Sequence, residues 1–183
     1  MAVSPATYER LALEDPDSKW ELVCGRPRRK PPMTSAHNSL NRWLHFELQR
    51  QLPFTEFEVS QESARVRLRN GNHYVPDLAV LPHRLVVPRL ADRSLEAYLE
   101  PLPLIVEVWS KSTGEYDVEE KLVEYRLRGD LEIWRIHPYE KTLTAWVRNP
   151  DGNYLERLHR TGSISCAALP NVTVDLDALF GLL

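Results

Sequence analysis

The stretch LPLIVEVW, residues 102–109, places a single glutamate, Glu107, inside an apolar run. A short run that is apolar on both faces is typical of a central strand covered on both sides. An ionised carboxylate is costly to bury alone, so it shifts its pKa, pairs with a cation or binds a metal ion. We therefore expect Glu107 to have a specific partner.

A second acid lies in a similar setting upstream. Asp77 is the single charge in YVPDLAVLP, residues 74–82, and the pattern predicts a strand over residues 74–81. The segment before it, residues 54–69, predicts another strand that ends at the turn 70–72, Asn-Gly-Asn. Two buried strands are thus expected to carry one acid each.

The segment STGEYDVEEKLVEYRLRG, residues 112–129, predicts a helix. Ser112 and Glu115 fit a capping box at its start, and Gly129 fits the residue that ends it. This helix directly follows the strand that carries Glu107.

One lysine of this helix is expected to point inward. Lys121 completes an i, i+3, i+4, i+7 pattern with Val118, Leu122 and Tyr125, so it shares their buried face. Asp117 precedes it by four residues, which leaves a surface ion pair as the alternative.

The remaining segments predict alternating helices and strands, which favours a mixed α/β or α+β domain with a central sheet over residues 1–183. We expect a helix at 4–15 capped by Ser4, a hairpin at 20–32 turning at Gly25, a helix at 35–52 capped by Ser35, a polar connection containing Pro88, strands at 131–138, 141–148 and 154–160, and a tail with a short strand and a helical turn.

The composition is that of a globular protein, with 183 residues, 43% hydrophobic and 27% charged. The net charge of −3 provides no global basic field, so a nucleic acid would have to be held by a local patch and metal ions. No apolar run approaches membrane-spanning length and no signal-peptide pattern is visible, which predicts a cytoplasmic protein. Cys24 and Cys166 match no metal spacing and are expected to be buried free thiols.

A basic cluster follows the first hairpin turn. It contains Arg26, Arg28, Arg29 and Lys30. Such charges commonly protect an exposed strand edge, and they also suit contacts to phosphate. Both interpretations stay open, and Arg26 and Arg28 are candidate substrate contacts.

Two acids and an inward lysine at one end of a sheet would suit phosphodiester hydrolysis. Mg²⁺ is commonly held by one or two carboxylates and retains waters that it can activate. A lysine beside it can orient the attacking water or offset negative charge in the transition state. In the alternative, Asp77 pairs with an arginine or caps a turn, and Glu107 pairs with Lys121 for structure alone.

The combined motifs resemble the Uma-two family, a branch of the PD-(D/E)XK nuclease superfamily, over about residues 8–180. They are WELVCG at 20–25, His37 in its helix, Pro76-Asp77, EVWSKST at 107–113, Asp117 four residues before Lys121, Tyr125, Gly129, and EIWRIHP at 132–138.

The resemblance implies a restriction-endonuclease-like core that uses Mg²⁺ or Mn²⁺. By position, Asp77 and Glu107 would be metal-binding acids, and the backbone carbonyl of Val108 a further ligand. The superfamily's lysine would stand at position 109, which is Trp109 here, and Lys121 is the matching residue on the next helix.

Two further residues receive roles from the resemblance, and three depart from it. Glu21 is a candidate metal ligand or a support for one, and His37 a candidate phosphate or water contact. Cys24, Lys111 and His137 stand where the family usually has aspartate, proline and aspartate.

The resulting expectation is a divalent-metal-dependent endonuclease acting on DNA. The alternative is an inactive nuclease fold kept as a DNA-binding or protein-interaction module, and hydrolysis of another phosphoester such as RNA is a third possibility. A homodimer is also predicted, since two sites related by a two-fold axis suit cleavage of both strands.

Overall fold

The structure is a computed structural model that describes residues 2–110 and 114–183, with the backbone alone for 114–118. The helices are α1 Pro5–Glu14, α2 Ser35–Gln49, α3 His83–Val86, α4 Gly114–Arg128 and α5 Leu176–Phe180, with a 3-10 turn at Val87–Arg89. The strands are β1 Trp20–Val23, β2 Arg26–Arg29, β3 Phe57–Gln61, β4 Arg65–Arg67, β5 His73–Tyr74, β6 Leu78–Pro82, β7 Ala97–Tyr98, β8 Leu104–Val108, β9 Glu132–His137, β10 Thr142–Arg148, β11 Tyr154–His159, β12 Ser163–Ser165 and β13 Thr173–Asp175.

Six strands form the central sheet, in the order β11-β10-β9-β8-β6-β3. β8 and β9 run parallel, and the other neighbours are antiparallel, so the sheet is mixed as predicted. β8 lies between β6 and β9 and is buried along its whole length. The apolar run around Glu107 is therefore confirmed as a central strand.

The two faces of this sheet bury different apolar side chains. Val106 packs in one cluster with residues of α2 and α5, including Leu179. Ile105 belongs to a second cluster, which contains Tyr125 of α4. Because side chains alternate along a strand, Glu107 shares the face of Ile105 and is turned toward α4.

A second sheet of five strands has the order β2-β1-β5-β4-β7. The single strands expected over 54–69 and 74–81 are wrong, because each segment divides between the two sheets. The first break follows Glu62, whose φ of 49° is left-handed and does not continue a strand. The second break contains Pro76, which has no amide hydrogen for a strand ladder.

Helix ends largely follow the prediction. Ser4 caps α1, and Gly129 ends α4 with a φ of 91°. The residue that caps α2 is Thr34 rather than Ser35, because Ser35 is already helical. Predicted residues that fall outside the described residues or side chains are Lys111, Ser112, Glu115, Asp117 and Val118.

Some of the smaller expectations are confirmed and others are corrected. The short tail strand is confirmed as β13, but it pairs with β12, which was not predicted. The connection around Pro88 contains α3, the 3-10 turn and β7. Cys166 is a buried free thiol as expected, whereas Cys24 is exposed in the β1–β2 turn. Within the described residues, no helix combines the length and apolar character that crossing a bilayer requires.

Candidate active site

Asp77 lies immediately before β6 rather than inside a strand, which corrects the expectation. The antiparallel register pairs Leu78 with Val106, so Asp77 stands beside the carboxyl end of β8. Its Oδ2 accepts a hydrogen bond from the Val108 amide at 2.6 Å. The break between β5 and β6 thus delivers the acid to the strand that carries Glu107.

Glu107 is bound by two side chains of α4. The Tyr125 hydroxyl donates to Glu107 Oε1 at 2.6 Å, and Lys121 Nζ lies 3.5 Å from the same oxygen. Lys121 is 4% exposed, which confirms the inward direction predicted from its helical phase. The expected convergence of two acids and a lysine is therefore present.

Lys121 connects Glu107 to a third acid, Glu21 of β1. Lys121 Nζ donates to Glu21 Oε1 at 2.8 Å, and the same oxygen accepts the Val75 amide at 2.9 Å. Glu21 is 5% exposed. The acid that the resemblance offered as a metal ligand or a support lies within the cluster, where it holds the lysine.

Lys30 is a member of the site that the sequence analysis missed. Its Nζ donates to Asp77 Oδ1 and to the Val75 carbonyl at 3.1 Å, and lies 3.7 Å from Glu62 Oε1. The Lys30 side chain is 4% exposed. Because side chains alternate along a strand, Lys30 lies on the same face as Arg28. The sequence would have indicated its inward direction only if it had been known which face of the hairpin is buried.

Strand alternation divides the basic cluster. Arg29 contacts Asp15 at 2.9 Å and lies over the Trp20 ring, on the strand face opposite to Glu21. Arg28 pairs in register with Glu21, and both Arg28 and Arg26 are exposed. They lie on the strand face that carries Glu21 and remain candidate substrate contacts.

His37 is fully buried in the first turn of α2. Its Nε2 lies 3.0 Å from Asp77 Oδ2, and its Nδ1 lies 3.4 Å from Asn41 Nδ2. Thr34 fixes this turn by accepting the His37 amide at 3.3 Å. The geometry makes His37 a direct partner of Asp77, a contact that was not among the expectations.

The lysines decide the charge states of the acids. Burial opposes ionisation of Asp77, but the Lys30 ammonium and His37 outweigh it and lower the pKa of Asp77 well below its usual range. Burial raises the pKa of Glu107, against the attraction of Lys121. Asp77 is therefore the firmly ionised acid, and Glu107 is the one whose charge is costly.

Both lysines stay protonated. Burial disfavours the charge of Lys121, but Glu107 and Glu21 outweigh it and raise its pKa. The pKa of Lys30 is likewise raised, because Asp77 and Glu107 overcome its desolvation. Neither lysine can serve as a general base near neutral pH.

The donor chemistry fits a divalent cation. Three buried acids, Glu21, Asp77 and Glu107, face two buried lysines, which leaves one carboxylate uncompensated. Carboxylate oxygens are the ligands that Mg²⁺ and Mn²⁺ prefer. Among the described residues, the group of three ligand atoms lying within 4.8 Å of one another is His37, Glu62 and Asp77. Glu62 was not singled out from the sequence.

Trp109 and His137, two departures from the expected motifs, are in contact. β8 and β9 pair Val108 with Ile136, so the next residues stand side by side. The Trp109 and His137 rings stack with centroids 4.4 Å apart, and Tyr139 meets Trp109 edge-on. A tryptophan in place of lysine and a histidine in place of aspartate thus form one aromatic contact.

The chain is a mixed sheet flanked by helices, with buried acids beside the carboxyl end of the central strand β8. The sequence matches the family model described as Uma2, putative restriction endonuclease, over residues 5–177. The chain belongs to this family.

The fold agrees with a solved structure. The crystal structure of a putative nuclease belonging to DUF820 from Anabaena variabilis superposes with a TM-score of 0.74 at 16% identity, covering 88% of this chain and 89% of that one. At this identity the likeness establishes the restriction-endonuclease-like fold alone. No curated protein matches the sequence.

Proposed function

We propose that this protein is a divalent-metal-dependent endonuclease that hydrolyses DNA phosphodiester bonds, with residues 1–183 acting as one domain. The observation that carries the proposal is the buried cluster around Asp77, Glu107 and Lys121. With Glu21 and Lys30 it holds three carboxylates and two lysines, so one carboxylate has no lysine of its own. Unpaired buried charge is costly, so its retention favours a cation as the missing partner.

Asp77 and Glu107 would hold Mg²⁺ or Mn²⁺, with the Val108 carbonyl as a further ligand and Glu21 as an additional one. When bound, the ion supplies an activated water and neutralises a phosphate oxygen. His37 and the Val108 amide fix one oxygen of Asp77, and the Tyr125 hydroxyl fixes Glu107. The acids are thus oriented before substrate arrives.

Lys121 acts as a positive charge and hydrogen-bond donor. Its raised pKa excludes a general-base role at neutral pH, because the amine stays protonated. From its position between Glu21 and Glu107 it can orient the attacking water or stabilise the pentavalent phosphate. Proton removal from the water then falls to a carboxylate or to solvent.

The test compares cleavage of supercoiled and linear DNA by the purified full chain in Mg²⁺ or Mn²⁺. Asp77→Asn, Glu107→Gln and Lys121→Met should each abolish cleavage, whereas Lys141→Met, a lysine that donates to the Phe180 carbonyl instead, should not. Cleavage that persists in all three site variants would contradict the assignment. An arm with single-stranded RNA separates a ribonuclease from a deoxyribonuclease.

A second candidate is a nuclease-like module that binds DNA or a protein without turnover. Lys30 favours it, because its ammonium already neutralises Asp77 without any ion. Salt-sensitive DNA binding with no cleavage in either metal would establish this candidate. Binding that is unaffected by metal would support it further.

DNA and a second copy of the chain are the proposed partners. Arg26 and Arg28 are exposed on the strand face that carries Glu21 and can contact phosphate. β11 is an edge strand of the central sheet, with Leu155 and Leu158 exposed, and its free edge can pair with a copy of itself. Light scattering should give the mass of a dimer, and a monomer at micromolar concentration would contradict it.

A further inference from the structure

A second cation position lies beside the proposed metal site, and Lys30 fills it. Ligand atoms of His37, Glu62 and Asp77 all lie within 4.8 Å of one another. The Lys30 ammonium touches Asp77 Oδ1 and lies 3.7 Å from Glu62 Oε1 and 3.1 Å from the Val75 carbonyl. A positive charge therefore already lies beside two carboxylates and a carbonyl, and the imidazole of His37 contacts one of those carboxylates, Asp77.

These four groups are a suitable ligand set for a divalent ion. Carboxylates and a carbonyl suit Mg²⁺ and Mn²⁺, and an added imidazole favours transition metals such as Mn²⁺. The same oxygens accept hydrogen bonds from an ammonium. His37 contacts Asp77 in the structure.

The backbone fixes Lys30 in this position. The Lys30 amide donates to the Lys19 carbonyl at 2.8 Å, which extends the β1–β2 ladder by one residue. Alternation along this ladder directs Lys30 to the same face as Arg28 and Glu21. The second lysine, Lys121, is held elsewhere by Glu21 and Glu107, so each lysine serves a separate pair of acids.

We propose that Lys30 is a built-in cation that occupies a second metal position, so that the chain binds one divalent ion, at Glu107, rather than two. The location of that first ion rests on the proposed function. The second position shares Asp77 with the first and adds His37 and Glu62, which the proposed function does not use as metal ligands. Removing the ammonium should open this position to an ion.

An ion would have a route to the vacated position. A cavity of about 420 Å³ reaches Lys30 and Glu62 from the surface, and Met33 and Asn38 also line it. An ion site needs both a complete ligand set and an entry path. Shortening or neutralising Lys30 would join this cavity to the three ligands.

The experiment measures Mn²⁺ stoichiometry of the full chain at neutral pH by calorimetry and by electron paramagnetic resonance. Lys30→Met should bind one Mn²⁺ more than the unmodified chain. Lys19→Met is the matched control, because Lys19 also contacts Glu62 but is 45% exposed at the surface. It should bind the same number of ions as the unmodified chain.

A double variant tests the ligands, since adding Glu62→Gln to Lys30→Met should remove the extra ion. Lys30→Met should also melt lower than the unmodified chain without metal and regain the loss in Mn²⁺. Equal stoichiometry for Lys30→Met and the unmodified chain would overturn the inference. A Lys30→Met chain that stays unfolded in millimolar Mn²⁺ would overturn it as well, because the ion is expected to replace the ammonium.

The outcomes separate this inference from the proposed function. One ion in the unmodified chain and two in Lys30→Met support both. No ion in the unmodified chain and one in Lys30→Met would refute the ion at Glu107 while supporting the role of Lys30. One in each would refute the role of Lys30 and leave the proposed metal site standing.

Discussion

Two glutamates are buried in neighbouring parallel strands, and their surroundings differ in kind. Glu132 of β9 is 1% exposed, and its oxygens accept the Trp134 indole at 2.6 Å, the Ala168 amide at 3.0 Å and the Cys166 thiol. Glu107 of β8 is 7% exposed and is bound by Lys121 and Tyr125. The donors at Glu132 are neutral, whereas Glu107 has a cation.

The difference distinguishes burial for structure from burial for chemistry. The three neutral donors at Glu132 satisfy one carboxylate by fixed hydrogen bonds and tie β9 to the loop before β13. The three acids around Glu107 share two lysines, so one carboxylate must hold a proton or bind a further cation. Such an arrangement contributes little to the stability of the fold, and it is typical of a site that binds a cation.

The largest expected effect separates the two glutamates by activity. Glu107→Gln should lower DNA cleavage at least about 10³-fold, equivalent to about 4 kcal/mol of transition-state stabilisation. Glu132→Gln should stay within about twofold of the unmodified chain, because it faces the opposite side of the sheet. Single-turnover rates at saturating Mg²⁺ measure both, and equal losses would break the comparison.

Removing the cation should destabilise the site more than removing an acid. Lys121→Met leaves Glu21 and Glu107 buried without their lysine, which should lower the free energy of unfolding by about 3–5 kcal/mol. Adding Glu107→Gln should recover part of that loss, since the neutral amide needs no cation. Urea unfolding gives the values, with exposed Lys19→Met, expected to change stability by at most about 1 kcal/mol, as control.

A third buried acid extends the comparison to pH. Burial raises the pKa of Asp130 to about 6, against the attraction of Arg128. The folded state thus holds this proton more tightly than the unfolded chain. The contribution of Asp130 to stability should fall by about 3 kcal/mol as pH rises from about 4 to about 6.

This pH effect is measured as a difference, which cancels the other titrating groups. The free energy of unfolding of the unmodified chain minus that of Asp130→Asn should decline across this pH range. A difference that stays constant would mean that Asp130 is ionised throughout this pH range. In that case the attraction of Arg128 and the hydrogen bond from the Leu102 amide would outweigh the effect of burial.

Glu132→Gln should lower the free energy of unfolding by about 1–3 kcal/mol, because the new side-chain amide places a hydrogen-bond donor opposite the donors that now bind the carboxylate. Burial also raises the pKa of the Cys166 thiol, so the thiol stays protonated and offers the new amide only a weak acceptor. Glu107→Gln, in contrast, should change stability little or raise it, since burial already favours the neutral form of Glu107. Urea unfolding of the two variants should therefore rank them in the opposite order from cleavage.

Periodicity predicted those parts of the site that lie on single elements. Asp77 and Glu107 were visible as single charges in apolar runs, and the helical phase of Lys121 gave its inward direction. Four β-strands of the central sheet, β8 to β11, and the main helices followed from the same reasoning. Each of these features depends on residues close together in sequence.

The missed features depend on which face of a strand is buried and on where a strand leaves its sheet. Lys30 has the same alternation as Arg28, and only the packing of the hairpin makes one buried and the other exposed. Each of the two apolar patterns, over 54–69 and 74–81, contains a point where the chain passes from one sheet to the other, at Glu62 and at Pro76. These choices are made by tertiary contacts, which a local pattern does not contain.

The smallest expected effect tests whether the basic residues of the hairpin divide as their faces do. Arg28→Ala should weaken DNA binding and reduce the slope of log K against log salt by about 0.9, the loss of one phosphate contact. Arg29→Ala should leave that slope unchanged, because Arg29 is committed to Asp15 and Trp20 on the other face. Fluorescence anisotropy at several salt concentrations measures the slopes. Equal slopes for the two variants would show that strand alternation does not select the phosphate contacts, and that DNA does not bind the hairpin face that carries Glu21.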